Sequence, residues 1–397
     1  MKRAFPASQR REAWALSNTN QPQKPADTSA SAQTTAGGRP GFLAPPGGGR
    51  VSPANLSLKV AGRHRLPIAI VGGGVAGLTC AQELKRLGLS PVVFDKGKIP
   101  GGRIGTRRRD DFEWDLGAAM MTVNHKDFLS QLREWQFRGL ARRWRGRFSG
   151  PGLEGANDGP FYVGLPRMSA LARSLSRDLD LRYPVEVREL VFDSKEQAWQ
   201  LFDQAGQHLG AFEAVLSTMP GPQTREFFAN IDELQGGLKL AGKMMPTWSV
   251  YIVFRNRFEV PFDAKTFAGP PIRSLFRNNA KPERDDEPEC WVLHADPGLS
   301  ANFLDYPPAQ VVDDMIAALE FSVEQKLPPV VDAHAKRWMF ALAEGFGQFR
   351  SQFDNRVRLG FGGDWVQPPK SQFGGIEAAY LSGRALAGQT RTLLPQA

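Results

Sequence analysis

The sequence predicts an α/β protein built on a largely parallel sheet, and three observations lead there. Leu66-Pro67-Ile68-Ala69-Ile70-Val71 is a short, continuous apolar run, the pattern of a strand covered on both faces. It enters Gly72-Gly73-Gly74-Val75-Ala76-Gly77 and then a stretch in which Ala76, Cys80, Leu84 and Leu87 share one helical face. Gly88 is placed to end that helix, and Pro91-Val92-Val93-Phe94 follows as a second strand that stops at Asp95. Strand, helix and strand within about thirty residues form a complete βαβ opening.

Later segments extend the alternation. Ala198 to Phe202, Ala214 to Ser217, Trp248 to Phe254 and Trp291 to His294 read as strands. From Pro308 to Gln325 the period is helical, through Val311, Met315, Leu319 and Val323. No internal repeat is present. Interleaved strands and helices argue for an α/β class over an all-helical one.

The 397 residues suffice for one large domain or two moderate ones. A hydrophobic content of 41% and a charged content of 23% are ordinary for a soluble globular chain. No apolar run approaches the roughly 18 to 20 residues of a membrane span. The net charge of +9 suggests nucleic acid until it is located: residues 1–66 hold ten bases and two acids, which leaves +1 for all the rest. The folded part therefore carries no basic footprint for a polyanion. Cys80 and Cys290 are too few for a disulfide framework and read as core residues. The five histidines show no metal-ligand spacing, so no protein-ligated metal is expected.

Residues 1–65, rich in Pro, Gly, Ser, Thr, Ala and Gln, bury too little apolar surface to order themselves and read as a disordered basic tail or targeting segment. Their basic, acid-poor composition matches an organelle transit peptide, and no apolar core of a secretory signal follows the early charges. A solvated tail and an upstream extension from a misassigned start codon are the alternatives. The location expected is cytoplasmic or, after loss of the tail, a plastid-type organelle.

Gly72, Gly74 and Gly77, between strand and helix, with an acid 23 positions past the first glycine, form a dinucleotide fingerprint. Gly72 permits the tight turn, Gly74 lets the backbone approach a pyrophosphate, and Gly77 lets helix and strand pack closely. The helix N-terminus, with Val75 and Ala76, offers free N–H groups to phosphate. Asp95 can accept from ribose hydroxyls. Two further features favour FAD over NAD. Gly101-Gly102-Arg103 adds a glycine approach and a phosphate-pairing guanidinium. Near the C-terminus, Val357 to Trp365 followed by Gly374 to Gly383 reads as strand, loop and a helix with a glycine-lined start. Such a helix terminus can stabilise the negative edge of a reduced flavin.

The chain resembles renalase-like members of the flavin amine oxidase superfamily. The resemblance rests on Ile70 to Gly77, Phe94 to Arg108, Trp114 to Ala118, Tyr162 to Leu171 and Ser217 to Gln223, and on Trp291 to Ala295, Arg337 to Ala341 and Gly363 to Gly383. It implies non-covalent FAD held by Gly72, Gly74, Gly77, Asp95, Lys96, Gly102 and Arg103. It further implies contacts from Gly117 and Ala118 near the flavin and from Val187 to adenine. Gly363 and Asp364 would meet the ribityl–pyrophosphate, and Gly375 and Ile376 the flavin ring. One departure stands out: Ala119-Met120-Met121 replaces the family's glutamine followed by tyrosine or phenylalanine. Those positions would make the pocket less polar.

The flavin carries the chemistry in such enzymes, so no catalytic side chain is assigned. Met120 and Trp365 are candidate pocket walls, although core packing would equally explain Trp365. His125 is a candidate acid–base group with a surface role as its alternative. Arg107, Arg108 and Arg109 could hold an anionic substrate, or simply finish a solvated strand. The function expected is FAD-dependent oxidation of a small molecule, a reduced nicotinamide-like compound or an amine. The alternatives are a dehydrogenase or desaturase of an apolar pigment or lipid precursor, and a flavin-binding protein without turnover. A pocket lined by arginine favours the first over the second. The expected architecture is a Rossmann-type FAD-binding domain (66–120, 183–222 and 352–397) with a discontinuous α+β substrate domain, mostly antiparallel sheet (121–182 and 223–351). Oligomeric state is left open.

Overall fold

The computed structural model describes residues 65–109, 112–153, 161–345, 347, 349–369 and 373–393. Of the tail expected over residues 1–65, all but Arg65 lies outside the described residues, as does the side chain of Arg109; Arg65 pairs with Glu213 at 2.8 Å.

The apolar run becomes the strand Ile68–Val71, every residue of it buried. It pairs in parallel with Pro91–Phe94 on one side and Ala214–Ser217 on the other. The sheet continues outward through Leu359–Gly362 to the antiparallel Ser351–Asp354, and on the opposite side to Asp180–Arg182. The continuous hydrophobicity has a simple cause: both faces are covered. Ile68 and Ile70 pack with Cys80, Leu84 and Leu386 beneath the helices. Ala69 and Val71, pointing the other way, pack with Trp199 and Phe212. Those two come from a three-stranded antiparallel sheet of Val187–Asp193, Ala198–Asp203 and His208–Phe212. Cys80 and Cys290 are both buried, as core residues should be.

The fingerprint helix spans Val75–Arg86 and buries Ala76, Cys80 and Leu84, with Gly88 in the left-handed region just past its end. Across it lies the closing helix, Gly375–Gln389. The two approach so closely that a Cβ on Gly383 would sit 2.2 Å from the Ala76 carbonyl oxygen. The sequence placed the edge of the first insertion after residue 182, yet Asp180–Arg182 pairs in the parallel sheet. The preceding helix Ser169–Leu175 also docks on the fingerprint helix, whose Gln82 donates to the Leu175 carbonyl at 2.9 Å. A three-residue strand reading Asp-Leu-Arg has no apolar period to betray it.

The second large sheet runs in the order Val330–Glu344, Lys243–Phe254, Glu289–Ala295, Ile272–Arg277, Ala264–Thr266 and Phe148–Ser149. It is antiparallel except for the last pair. One face, with Val250, Ile252 and Leu293, packs on Val311, Met315 and Leu319 of the helix Pro308–Val323. The other face meets the hairpin after the fingerprint unit, where Trp114 stacks on Tyr251 with ring centres 3.8 Å apart. Three register shifts interrupt this sheet, one of them between Val253 and Phe254, and the other two border the cavity described below. Pro246 lies inside the long strand Lys243–Phe254, and opposite it the partner strand accommodates extra residues between Trp338 and Leu342. A proline cannot donate to a ladder, so in an interior strand it is tolerated only where the ladder is already broken. The second bulge inserts Arg273 between Ile272 and Ser274, which face Ala295 and His294.

A buried charge cluster fastens the hairpin to this sheet. The Asp115 carboxylate accepts from Lys281 at 3.2 Å, Arg284 at 2.8 Å, Thr106 at 2.8 Å and the Met168 amide at 3.0 Å. Burial alone would raise the Asp115 carboxyl, but Lys281 and Arg284 outweigh it and hold it at about 2. Burial in turn lowers the Lys281 ammonium to about 8 against the pull of Asp115. Among the described residues no helix is long and apolar enough to cross a membrane.

Candidate cofactor and substrate site

A cavity of about 1460 Å³ lies between the two large sheets. Pockets for small ligands run to about 300–1,000 Å³, so this one has room for a dinucleotide and a further molecule. Its near wall is the fingerprint turn. Gly72 takes φ +119°, a conformation that side chains resist, and its N–H donates to the Phe94 carbonyl at 2.8 Å. Gly74 borders the cavity, and a Cβ built on it would meet no protein atom within 4 Å. Nothing in the protein demands a glycine there, so the open space above it fits a ligand that comes close to the backbone. Gly77 behaves differently. It lies off the cavity, and a Cβ would fall 1.9 Å from the Gly72 carbonyl oxygen. Its role is the close packing of helix on turn, and the direct FAD contact implied by the resemblance is not its position.

Val75, Ala76, Asp95, Lys96 and Gly102 also line the cavity, and Val187 lines it beyond the second strand. The Asp95 carboxylate accepts from the Gly73 amide at 2.5 Å and the Gly97 amide at 2.6 Å, which fixes it at the strand end. Gly117 and Ala118 join from the hairpin exit, where the Ala118 amide donates to the Arg103 carbonyl at 2.9 Å.

Arg103 departs from its expected role. Its guanidinium does not stand free for phosphate; it makes a forked pair with Asp364 at 2.7 and 2.5 Å and donates to the Ala341 carbonyl at 2.9 Å. That carbonyl belongs to the bulge opposite Pro246, where the ladder lacks a donor. Burial would depress the Arg103 pKa, but Asp364 raises it overall, so the charge is secure. Both residues line the cavity with Gly363. Asp364, expected at the ribityl–pyrophosphate, is the counter-ion of Arg103 and stays on the cavity wall.

The closing helix brings Gly375 and Ile376 to the cavity at its N-terminus, where free N–H groups gather. In its first turn Glu377 accepts from the Asn124 and His125 amides, each at 2.7 Å. His125 caps the helix Lys126–Phe137 through Nδ1 and is not among the cavity residues, so the surface role is the one observed. Met120 and Trp365 border the cavity from within the core, each about 1% exposed. The Trp365 indole donates to the Met219 carbonyl at 3.0 Å and stacks on Phe361. It is a core residue with one edge toward the cavity.

The far wall comes from the antiparallel sheet: Thr247, Arg273, Ser274, Phe276, His294 and the edge strand from Lys336 onward. Sequence reasoning passed over Arg273 and His294 as site residues: His294 read as the end of the strand Trp291 to His294, and Arg273 sits in none of the segments it singled out, on a bulge that a single strand does not reveal. Burial, with the charge of Arg273, lowers the His294 imidazole to about 4, so it is neutral near pH 7. Its Nδ1 lies 3.4 Å from Ser274 Oγ. Lys336 sits over the Trp338 ring at 3.7 Å, its pKa lowered by burial and by Arg107. Arg107 and Arg108 reach the cavity rim, and Arg108 lies 3.7 Å from Glu113. The arrangement thus offers amide-rich helix starts on one side and a mixed basic and aromatic wall on the other.

Comparison with known proteins agrees with this geometry. Residues 70–132 match the model of an NAD(P)-binding Rossmann-like domain. A zeta-carotene-forming phytoene desaturase from Myxococcus xanthus is 35% identical over 88 residues, which are 22% of this chain and 15% of that protein. A mitochondrial protoporphyrinogen oxidase from Nicotiana tabacum is 38% identical over 60 residues, 15% of this chain and 12% of that one. The matched segment thus spans less than a sixth of these relatives' length. Among solved structures, a protein from Exiguobacterium sp. 255-15, provisionally named a protoporphyrinogen oxidase, superposes with a TM-score of 0.66 at 12% identity. That match covers 84% of this chain and all of the other. A redesigned putrescine oxidase superposes with a TM-score of 0.57 at 11% identity over 83% of this chain and 99% of its own. The fold is shared with these solved structures: a Rossmann-like FAD-binding domain with a parallel sheet, joined to a mostly antiparallel substrate-domain sheet.

Proposed function

We propose that the chain is an FAD-dependent oxidoreductase that oxidises a small reduced substrate against the antiparallel sheet, with a renalase-like dihydronicotinamide as the first candidate. The observation that supports this most is the single cavity bordered both by the fingerprint helix start and by the closing helix start, with a separate side-chain wall opposite. FAD, bound non-covalently, would supply a hydride acceptor. The amides at Gly74 to Ala76 would receive its pyrophosphate, and Asp95 and Lys96 its ribose side. Gly117, Ala118, Gly375 and Ile376 would border the ring, the last two with N–H groups that favour negative charge. The Arg103–Asp364 pair would hold the two ends of the chain in register beside it. On the far wall, Phe276 and His294 would orient the substrate and exclude water.

The basic lining supports this substrate class over a cationic amine. Arg107, Arg273 and Lys336 all border the cavity and would repel an ammonium group. A second reading, an apolar pigment or lipid precursor, draws on Ala119, Met120, Phe276 and Phe373 in the same lining. An absorbance spectrum of the purified protein tests the proposal. Flavin bands, colour released on denaturation, and anaerobic bleaching by NADH, NADPH or an isomeric dihydro form are expected. Yellow protein bleached only by apolar precursors would favour the second reading, and colourless protein that FAD does not reconstitute would sink both.

A further inference from the structure

We propose that Arg273 selects the substrate by pairing with an anionic group on it, a carboxylate or a phosphate; this rests on the oxidoreductase reading above. The first ground is backbone geometry. Arg273 is the extra residue of a bulge in an otherwise regular strand, with Ile272 opposite Ala295 and Ser274 opposite His294. A bulge re-aims a side chain that regular alternation would direct elsewhere, and bulges gather beside functional sites. This one turns Arg273 to the cavity wall.

The second ground is the lack of a partner. The Arg273 side chain is only partly exposed and makes no hydrogen bond or ion pair with another described residue. Three other cations of the cavity lining have partners: Arg103 has Asp364, Arg108 has Glu113 and Lys336 has the Trp338 ring. The nearest acids act on Arg273 only at longer range. They are Glu344 and Asp296, and Asp296 is engaged in capping the helix Pro297–Asn302 through the Leu299 amide at 2.9 Å. A partly desolvated guanidinium without a counter-ion is costly, and a bound anion would remove that cost.

The third ground is position. Next to Arg273, His294 is held against Ser274 Oγ and the backbone of Leu116 and Gly117. Gly117 and Ala118 border the same cavity, so the guanidinium flanks the segment that the flavin reading sets beside the ring. An anion held there is fixed from the sheet side, away from the fingerprint amides that would serve the cofactor's own phosphates.

The test is a calorimetric titration of benzoate, and separately of inorganic phosphate, into the full-length purified protein, with the flavin bands of each sample recorded. Saturable binding is expected in the wild type. Arg273→Met should weaken it at least about tenfold, as loss of a charge-assisted pair does. Arg273→Lys, which keeps the charge but loses the fork, should fall between. Phosphate that displaces benzoate points to a phosphate-bearing substrate, and phosphate that fails to do so points to a carboxylate; either supports the assignment. Absence of binding for both probes, or an Arg273→Met protein that binds as tightly as wild type, overturns it. A loss that follows Lys336→Met in place of Arg273→Met overturns it as well. Because heat reports on the anion and colour on the flavin, failure of the cofactor reading is seen separately from failure of this one.

Discussion

The two walls of the cavity are built on opposite principles. On the fingerprint side the cavity meets a helix start with its backbone amides, and side chains matter by their absence, as at Gly74. On the sheet side the lining is made of side chains, Arg273 and His294 among them, and the backbone breaks step there at two bulges. A wall of amides tolerates almost any sequence that keeps its glycines, so it can be shared across a large superfamily. A wall of side chains can be rebuilt residue by residue, and specificity belongs there.

The largest test concerns the seam between the walls. Asp115→Leu would leave Lys281 and Arg284 buried without their carboxylate, at an expected cost of about 3–5 kcal/mol in urea denaturation. A cost below about 1 kcal/mol would mean that the walls are held together elsewhere. Within the near wall, Gly77→Ala should lose about 1–3 kcal/mol by overpacking, despite the helix propensity that alanine gains. Gly74→Ala should leave stability within about 0.5 kcal/mol and instead lower the flavin retained after gel filtration. Identical behaviour of the two variants would break the division between packing glycine and cradle glycine.

A double-mutant cycle on Arg103→Met and Asp364→Asn should give a coupling of about 1–3 kcal/mol, since the pair is forked and Asp364 is buried. On the far wall the expected signature is a pH dependence. The unfolded His294 takes up a proton near its ordinary value of 6.5, whereas the folded imidazole refuses it until about 4. The unfolded state therefore binds more protons in that window, and stability should fall as pH drops through it. Asp115 adds a further loss from about 3.8 down to about 2, as its stabilised carboxylate is protonated. Melting temperature against pH should show a shallower slope between 6.5 and 4 in His294→Phe. Smallest of all, Arg108→Ala should change stability by less than about 0.5 kcal/mol, because its 3.7 Å pairing is largely exposed.

What the sequence disclosed follows the same division. The opening strand, the fingerprint helix and its glycine stop were legible because their signals are local: a run, a period of 3.6 and an end residue. The closing helix was legible from its glycines alone. Arg103 was found but misread, because its partner lies 261 positions away and no local pattern names it. Arg273 was missed for a related reason: a bulge is a relation between two strands, and only their pairing reveals which residue is the extra one; His294 was read as a strand residue, and only the sheet's position shows that it borders the cavity. The strand Asp180–Arg182 escaped because its neighbours supply the order that its own residues do not.

The Gly383–Ala76 contact carries a consequence for how the chain acquires its site. Two helix starts, about three hundred residues apart in sequence, reach the cavity only when their helices lie backbone to backbone. While the chain is being synthesised, the fingerprint unit emerges well before the helix Gly375–Gln389 that covers its Ala76 face. Contacts of such long sequence separation form slowly, because much of the chain must already be ordered to bring the ends together. The two halves of the cradle are therefore made far apart in time, and it is finished only when both are in place.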